Sequence, residues 1–211
     1  MRTIPLALLV LLSITACKKE VAGDKPATGS AKGSSDVAKP VDKPADPKPD
    51  VDPVTEIPDA PEECAGKDCA RLALPLMKTE PAKGLPLLKK GCTTGDGISC
   101  GMLALAFKEG TGIAKNAKAT LALNERSCEL DYAKGCYNLG LQLFNGEGVP
   151  ADEARGITAL EKACNGKAWR ACGSLGDHYL NTGKKDKALA ILKLGCDNAD
   201  PLSCETLAKA K

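Results

Sequence analysis

Leucines and small side chains recur along this chain at helical intervals, and cysteines mark where each interval restarts. Four cysteine pairs share the spacing Cys-x7-Cys, at Cys92/Cys100, Cys128/Cys136, Cys164/Cys172 and Cys196/Cys204, and their leading cysteines lie 36, 36 and 32 residues apart. A fifth pair, Cys64/Cys69, has the shorter x4 spacing. Three residues after the second cysteine of every pair stands a leucine (Leu72, Leu103, Leu139, Leu175, Leu207), and the next residue is always small (Ala73, Ala104, Gly140, Gly176, Ala208). Seven residues after the cysteine come Leu76, Phe107, Leu143 and Tyr179, so positions +3 and +7 make an apolar helical stripe. The small residue beside it lets a second helix approach closely.

That second helix is read backward from the next cysteine pair. Leu85/Leu88, Ile157/Leu160 and Leu189/Leu192 sit seven and four residues before Cys92, Cys164 and Cys196, whereas the intervening copy has Leu121 and Leu123 but Asn124. The segments EGTGIAK, GEGVPAD and the shorter TGKKDK separate the two helices with glycine-rich turns. In the copy around Cys64/Cys69 the turn is TEPAKG, which places Pro86 in the first turn of the second helix. A unit repeated at this period predicts an all-α fold, an α-solenoid of antiparallel helix pairs. Four pairs and a closing helix from about Pro201 fill residues 62–211.

The N-terminal third is different in kind. Arg2 precedes an apolar run from Ile4 to Ile14, too short for a span of roughly 20 helical residues and suited to the core of a signal peptide over residues 1–16. The run ends in Ile14-Thr15-Ala16-Cys17, which resembles the lipobox of bacterial lipoproteins; that resemblance implies cleavage before Cys17 and lipid on its sulfur and amine. An ordinary secretory peptide with a chance cysteine is the alternative. Residues 17–61 are rich in Lys, Asp, Ala, Pro, Gly and Ser and offer almost nothing to bury, which predicts a disordered, semi-stiff tether reaching at most ~3.1 Å per residue. A solvated spacer suits this tract better than a Pro-rich docking motif.

With Cys17 set aside, ten of the eleven cysteines remain, an even number in an exported chain, which predicts five disulfides. In the two-helix layout each Cys-x7-Cys joins the end of one pair's second helix to the start of the next pair's first helix. The bridges expected are Cys64–Cys69, Cys92–Cys100, Cys128–Cys136, Cys164–Cys172 and Cys196–Cys204. Zinc is the rival reading, but there is one histidine and the spacing is not a usual zinc spacing. No metal and no cofactor is expected. Aromatic residues number only six, so thin two-helix layers lean on the bridges.

The stretch CYNLGLQLFNGEGVPADEARGITALEKAC, with its LG, its Gly-x-Gly turn and VPAD, resembles the Sel-one-like repeats, relatives of the tetratricopeptide repeats. The 36-residue period carrying Cys-x7-Cys is similar to the secreted, cysteine-rich bacterial branch of that family. The resemblance covers about residues 64–211 and is strongest from 92 to 196. It implies a right-handed superhelix whose neighbouring helices are linked by disulfides. The turn at 182–187 lacks the GxGV of the others.

Some cysteine-rich members of that branch have been described as penicillin-binding or weakly β-lactamase-active, which implies an activity on β-lactams or peptidoglycan as one reading. Serine enzymes of that class need Ser-x-x-Lys, Ser-Asp-Asn and Lys-Thr-Gly, and none of these strings occurs. The lone His178 falls off the core stripe and reads as a surface residue. What remains is a surface: positions +2, +6 and +9 after the cysteine give Asn138, Gln142 and Asn145 in one copy and Ser174, His178 and Asn181 in the next. Such an amide-rich ladder suits an extended peptide backbone, although a solvated helix face has the same composition. Residues 61–211 carry 21 basic and 18 acidic side chains, a balance that disfavours nucleic acid. The reading is a membrane-anchored repeat scaffold of the bacterial cell envelope that binds peptide or protein, with a β-lactam- or peptidoglycan-active protein and a purely structural envelope protein as alternatives.

Overall fold

The computed structural model describes residue 55, residues 57–60 and residues 64–210. The signal-peptide, lipid-site and most of the tether readings fall outside them. Nine helices are described and no strand: α1 (Lys67–Thr79), α2 (Pro81–Thr93), α3 (Gly97–Glu109), α4 (Ala117–Glu129), α5 (Ala133–Asn145), α6 (Glu153–Asn165), α7 (Trp169–Asn181), α8 (Lys185–Asp197) and α9 (Pro201–Ala210). They form four antiparallel hairpins, α1/α2 to α7/α8, and α9 closes the stack. The first helices of successive pairs also touch, α1 with α3, α3 with α5, and α7 with α9. This is the α-solenoid the repeat requires.

Helix ends follow from local chemistry. In the second and third pairs the first helix stops at a left-handed glycine, Gly110 (φ 78°) and Gly146 (φ 64°), a conformation that costs other residues more. The second helix then starts on Asn116 or Asp152, whose side chains accept from Ala119 N and Arg155 N. Between pairs the turn is three residues long each time, and its middle residue is left-handed: Gly95, Asp131, Lys167 and Ala199. Each such turn brings the ends of two helices together and is crossed by one bridge, while Cys64–Cys69 ties the segment before α1 to its first turn; all five expected bridges have Cα–Cα separations from 4.4 to 5.1 Å.

The residues one before each bridged cysteine face each other across these turns. A Cβ on Gly91 or Gly195 would stand 2.2 or 2.1 Å from Ser99 Oγ or Ser203 Oγ, and one on Gly135 would stand 2.2 Å from Ser127 Oγ. The remaining junction pairs Ala163 with Ala171, both fully buried. Glycine with serine, serine with glycine and alanine with alanine fill nearly the same space, so the junctions hold one helix spacing with three different pairs.

A cation two residues before the cysteine ties successive pairs together. Arg126 Nε donates to Cys92 O at 3.3 Å and Lys162 Nζ to Cys128 O at 2.7 Å, each placing positive charge at the C-terminal end of the preceding pair's second helix. The next copy has Leu194 there, 40% exposed.

The core stripe is buried from the second pair onward: Leu103, Leu175 and Phe107 are at most 1% exposed, and Leu88, Leu160 and Leu192 face them from the second helices. Gly140 and Gly176 meet Leu160 and Leu192, as the small +4 position requires. The first pair departs from the pattern. Leu72 is 39% exposed and α1 instead buries Cys69, Ala70 and Ala73; among the described residues no helix pair precedes α1 to cover its other side. Its turn also differs from expectation: α2 starts at Pro81, whose missing N–H costs nothing at the first helical position, and Pro86 lies buried inside the helix rather than in its first turn.

Two further features were not foreseen. Ile57, in a stretch whose composition reads as tether, is 2% exposed in the first pair's core, and Lys89 Nζ donates to Ile57 O at 2.6 Å and to Asp59 Oδ1 at 2.9 Å. The buried apolar residues also form two groups, one from Ile57 to Leu123 and one from Cys128 to Leu192. Thr120, Asn124, Ser127 and Gln142 are the buried polar side chains at the division between them.

Candidate functional site

On each first helix the positions +2, +5 and +9 after the cysteine lie opposite the core stripe, at angles set by 3.6 residues per turn. Position +5 is leucine in three copies: Leu74 is 55% exposed, Leu105 is 45% exposed and Leu141 is half-buried. The fourth copy has Asp177. Burying a leucine removes apolar area worth about 25 cal/mol per Å², so two exposed and one half-buried at one repeat position make a patch that a partner can cover. Sequence reasoning passed over this column, although reading the same cysteine alignment at +5 reveals it.

The amide positions divide. Asn138 is half-buried and Asn145 is exposed on the same face as the leucines, with Asn145 Nδ2 donating to Glu147 Oε1 at 3.0 Å. Lys108, at 2.9 Å, and Asn145 together hold the Glu147 carboxyl below its ordinary range. Asn181 is exposed and donates to Asp177 Oδ2 at 3.3 Å. Ser174 is half-buried and its hydroxyl donates to Arg170 O at 3.3 Å.

Position +6 is a correction. Gln142 is 3% exposed and belongs to the interior, not to the outer face. Its Nε2 donates to Ala117 O at 2.9 Å and to Glu147 O at 3.3 Å, and its Oε1 accepts from Asn124 Nδ2 at 3.3 Å. The helical wheel turns +6 sideways, toward the start of the preceding pair's second helix, and the stacking buries it. His178, one repeat later, occupies the same position and is likewise no ordinary surface residue: its side chain is 16% exposed. Its ring stacks on Phe144 with centroids 5.1 Å apart and planes 21° off parallel. Its Nε2 stands 3.5 Å from Glu153 Oε1, the repeat equivalent of Ala117, and makes no hydrogen bond.

Beside these stacked rings, between α5 and α7, lies an open pocket of 520 Å³. Leu141 and Phe144 of α5 and Leu202 of α9 supply its apolar side. Glu153 at the start of α6 and Asp177, His178, Ser174 and Asn181 of α7 supply its polar side. Three of the six candidate residues, Ser174, His178 and Asn181, therefore share one pocket, and Asn138, Gln142 and Asn145 do not line it. Ser174 and His178 share no hydrogen bond, so the pair lacks the nucleophile–base contact of a serine enzyme. Among the described residues no group of three or more His, Cys, Asp or Glu is placed to hold a metal ion, and no helix is long and apolar enough to cross a membrane.

No protein-family model and no curated protein matches the sequence. Solved structures do. A Sel1 repeat protein from Oxalobacter formigenes superposes with a TM-score of 0.60 at 21% identity, covering 67% of this chain and 61% of that one. The protein c5321, a protective antigen present in uropathogenic Escherichia coli strains and displaying an SLR fold, superposes with a TM-score of 0.59 at 16% identity, covering 67% of this chain and 32% of that one. At these identities the likeness is one of fold, and this chain spans about three fifths and one third of the two proteins.

Proposed function

We propose, from the premise that this chain carries the Sel1-like repeat fold, that it is a lipid-anchored scaffold of the bacterial cell envelope that binds an extended segment of a protein partner along the outer face of α1, α3 and α5. The observation that carries this reading is the column at one repeat position, Leu74 and Leu105 exposed and Leu141 half-buried, beside Asn138 and Asn145. Successive first helices are spaced about 8–10 Å apart, so such a column offers apolar contacts at a regular pitch while the amides can bond peptide groups between them. Five disulfides suit an oxidising compartment outside the cytoplasm, and the apolar run ending in Cys17 supplies export and anchoring. Neither a β-lactam- or peptidoglycan-directed activity nor a purely structural role has a comparable observation behind it.

The scaffold reading is tested in cells by a photo-crosslinking amino acid at position 105 or 138, with position 194 as an exposed leucine elsewhere. Positions 105 and 138 are expected to capture the same discrete protein and position 194 is not. Equal capture at all three, or none at any, removes the reading. The anchor is tested separately. Cys17→Ser is expected to abolish incorporation of a labelled fatty acid and to release the chain from membranes, and retention of label would assign the lipid elsewhere.

A further inference from the structure

We infer that the pocket between α5, α7 and α9 receives a basic side chain, arginine or lysine, of the partner segment. The inference rests on the proposed scaffold reading and adds the chemistry that the partner must carry. Three observations lead to it. The pocket is lined by Leu141 and Asp177, successive residues of the +5 column, so a segment lying on Leu105 and Leu141 reaches it. Its walls are of two kinds: Leu141, Phe144 and Leu202 give an apolar floor, and Glu153 and Asp177 give two carboxylates. That combination matches an arginine or lysine, whose methylene stem lies on apolar surface while its cationic head meets charge. A hydrophobic anchor would leave both carboxylates beside apolar surface, and a small inorganic cation would make no use of the floor.

The carboxylates are also available. No lysine or arginine lines the pocket. Glu153 is 66% exposed, and His178 Nε2, 3.5 Å from its oxygen, makes no hydrogen bond to it. Asp177 is exposed, and of its neighbours Asn181 is neutral. Lys209, the cation of α9 on which Asp177 acts, is held by Glu205 at 2.7 Å. At 520 Å³ the pocket lies within the range of small-ligand sites, about 300–1,000 Å³, and has room for the longest side chain.

The test uses the purified full chain and a fluorescent pentapeptide, acetyl-Leu-Ala-Arg-Ala-Leu-amide, with its citrulline and lysine analogues, read by fluorescence polarisation. Citrulline keeps the shape of arginine and lacks the charge. The arginine and lysine peptides are expected to bind at least tenfold more tightly than the citrulline peptide at low salt. Asp177→Asn and Glu153→Gln, both at exposed positions, are each expected to weaken the basic peptides about three- to tenfold while leaving the citrulline peptide unchanged.

Equal binding of arginine and citrulline peptides overturns the inference, as does a preference for arginine that survives Glu153→Gln/Asp177→Asn. Absence of binding by any of the peptides also overturns it, and so does a dimer in sedimentation whose dissociation is required before arginine binds, because a second copy would then own the pocket. If all peptides bind alike and Leu105→Ser abolishes that binding, the scaffold reading stands and the basic anchor falls. If the arginine preference holds and Leu105→Ser has no effect, the anchor stands and the leucine column falls.

Discussion

Replacing Cys128 and Cys136 together by alanine is expected to split the unfolding of the helical domain into two transitions. The bridge closes a loop of sequence separation 8. In the chain-entropy account a loop of that size contributes about 2.6 kcal/mol, a large part of the roughly 5–15 kcal/mol by which domains are stable. Cys164–Cys172 closes a loop of the same separation, so the loss of free energy at the two sites should be similar. The consequence differs because of what surrounds each bridge. Around Cys164 the buried apolar residues are continuous, whereas at Cys128 one apolar group ends and the next begins. Buried polar contacts cross there, Asn124 to Gln142 and Gln142 to Ala117 O, with Leu121 of α4 as the apolar residue that packs on the second group.

A polar contact of this kind contributes about 0.5–1.5 kcal/mol, and Asn124 Oδ1 is buried without a partner, which subtracts from it. In a solenoid the coupling between neighbours decides whether the halves melt together. Trp169 is the sole tryptophan and lies in the second half, so its fluorescence follows that half while circular dichroism follows both. The two probes are expected to diverge in urea for Cys128→Ala/Cys136→Ala and to coincide for Cys164→Ala/Cys172→Ala. Coincident curves in the first variant would show that the polar division does not weaken coupling.

Gly91→Ala is expected to cost far more than the size of one added methyl suggests. The added Cβ would stand 2.2 Å from Ser99 Oγ, 2.8 Å from Ser99 Cβ and 2.9 Å from Cys69 Cβ. The two Cβ atoms move only with their backbones, so a rotamer change cannot absorb the contact. Overpacking of this kind costs about 1–3 kcal/mol and occasionally more, against the ~1 kcal/mol that alanine returns as a better helix former. A net loss of about 2 kcal/mol, measured by urea denaturation, is expected. Gly91→Ala/Ser99→Ala recreates the Ala163/Ala171 arrangement at a different junction. It is expected to recover part of the loss even though it removes the 2.6 Å hydrogen bond from Ser99 Oγ to Asp96. Losses that simply add would mean that the junction does not depend on paired size.

The departures from the sequence reading have a common cause. Gln142 and His178 sit at the same helical angle, and a wheel drawn for one helix places both off the core stripe. Whether an off-stripe residue is exposed depends on the neighbouring pair, whose Ala117 and Glu153 approach from outside that helix. Leu72 fails in the opposite sense: its repeat equivalents Leu103, Leu139 and Leu175 are buried where a pair precedes them, and among the described residues none precedes α1. Ile57 was hidden by its company: one isoleucine in a run of Pro, Asp, Ala and Lys carries little weight in composition, yet a single fully buried side chain suffices to dock the segment. The leucines at +5 were legible in the alignment of the copies, but exposed leucine is common enough that only their accessibility made them a candidate surface.

The sequence by itself determined the repeat length, the helix pairs, the cysteine partners and the small residues at the crossings, because each arises from interactions within one turn or between helices adjacent in the chain. Only the tertiary structure decided that +6 points into the stack, that the core divides at Asn124 and Gln142, and that a pocket lies beside the stacked rings of Phe144 and His178. Those features depend on how one pair lies against the next, a contact made between residues about one repeat apart whose geometry no local pattern carries.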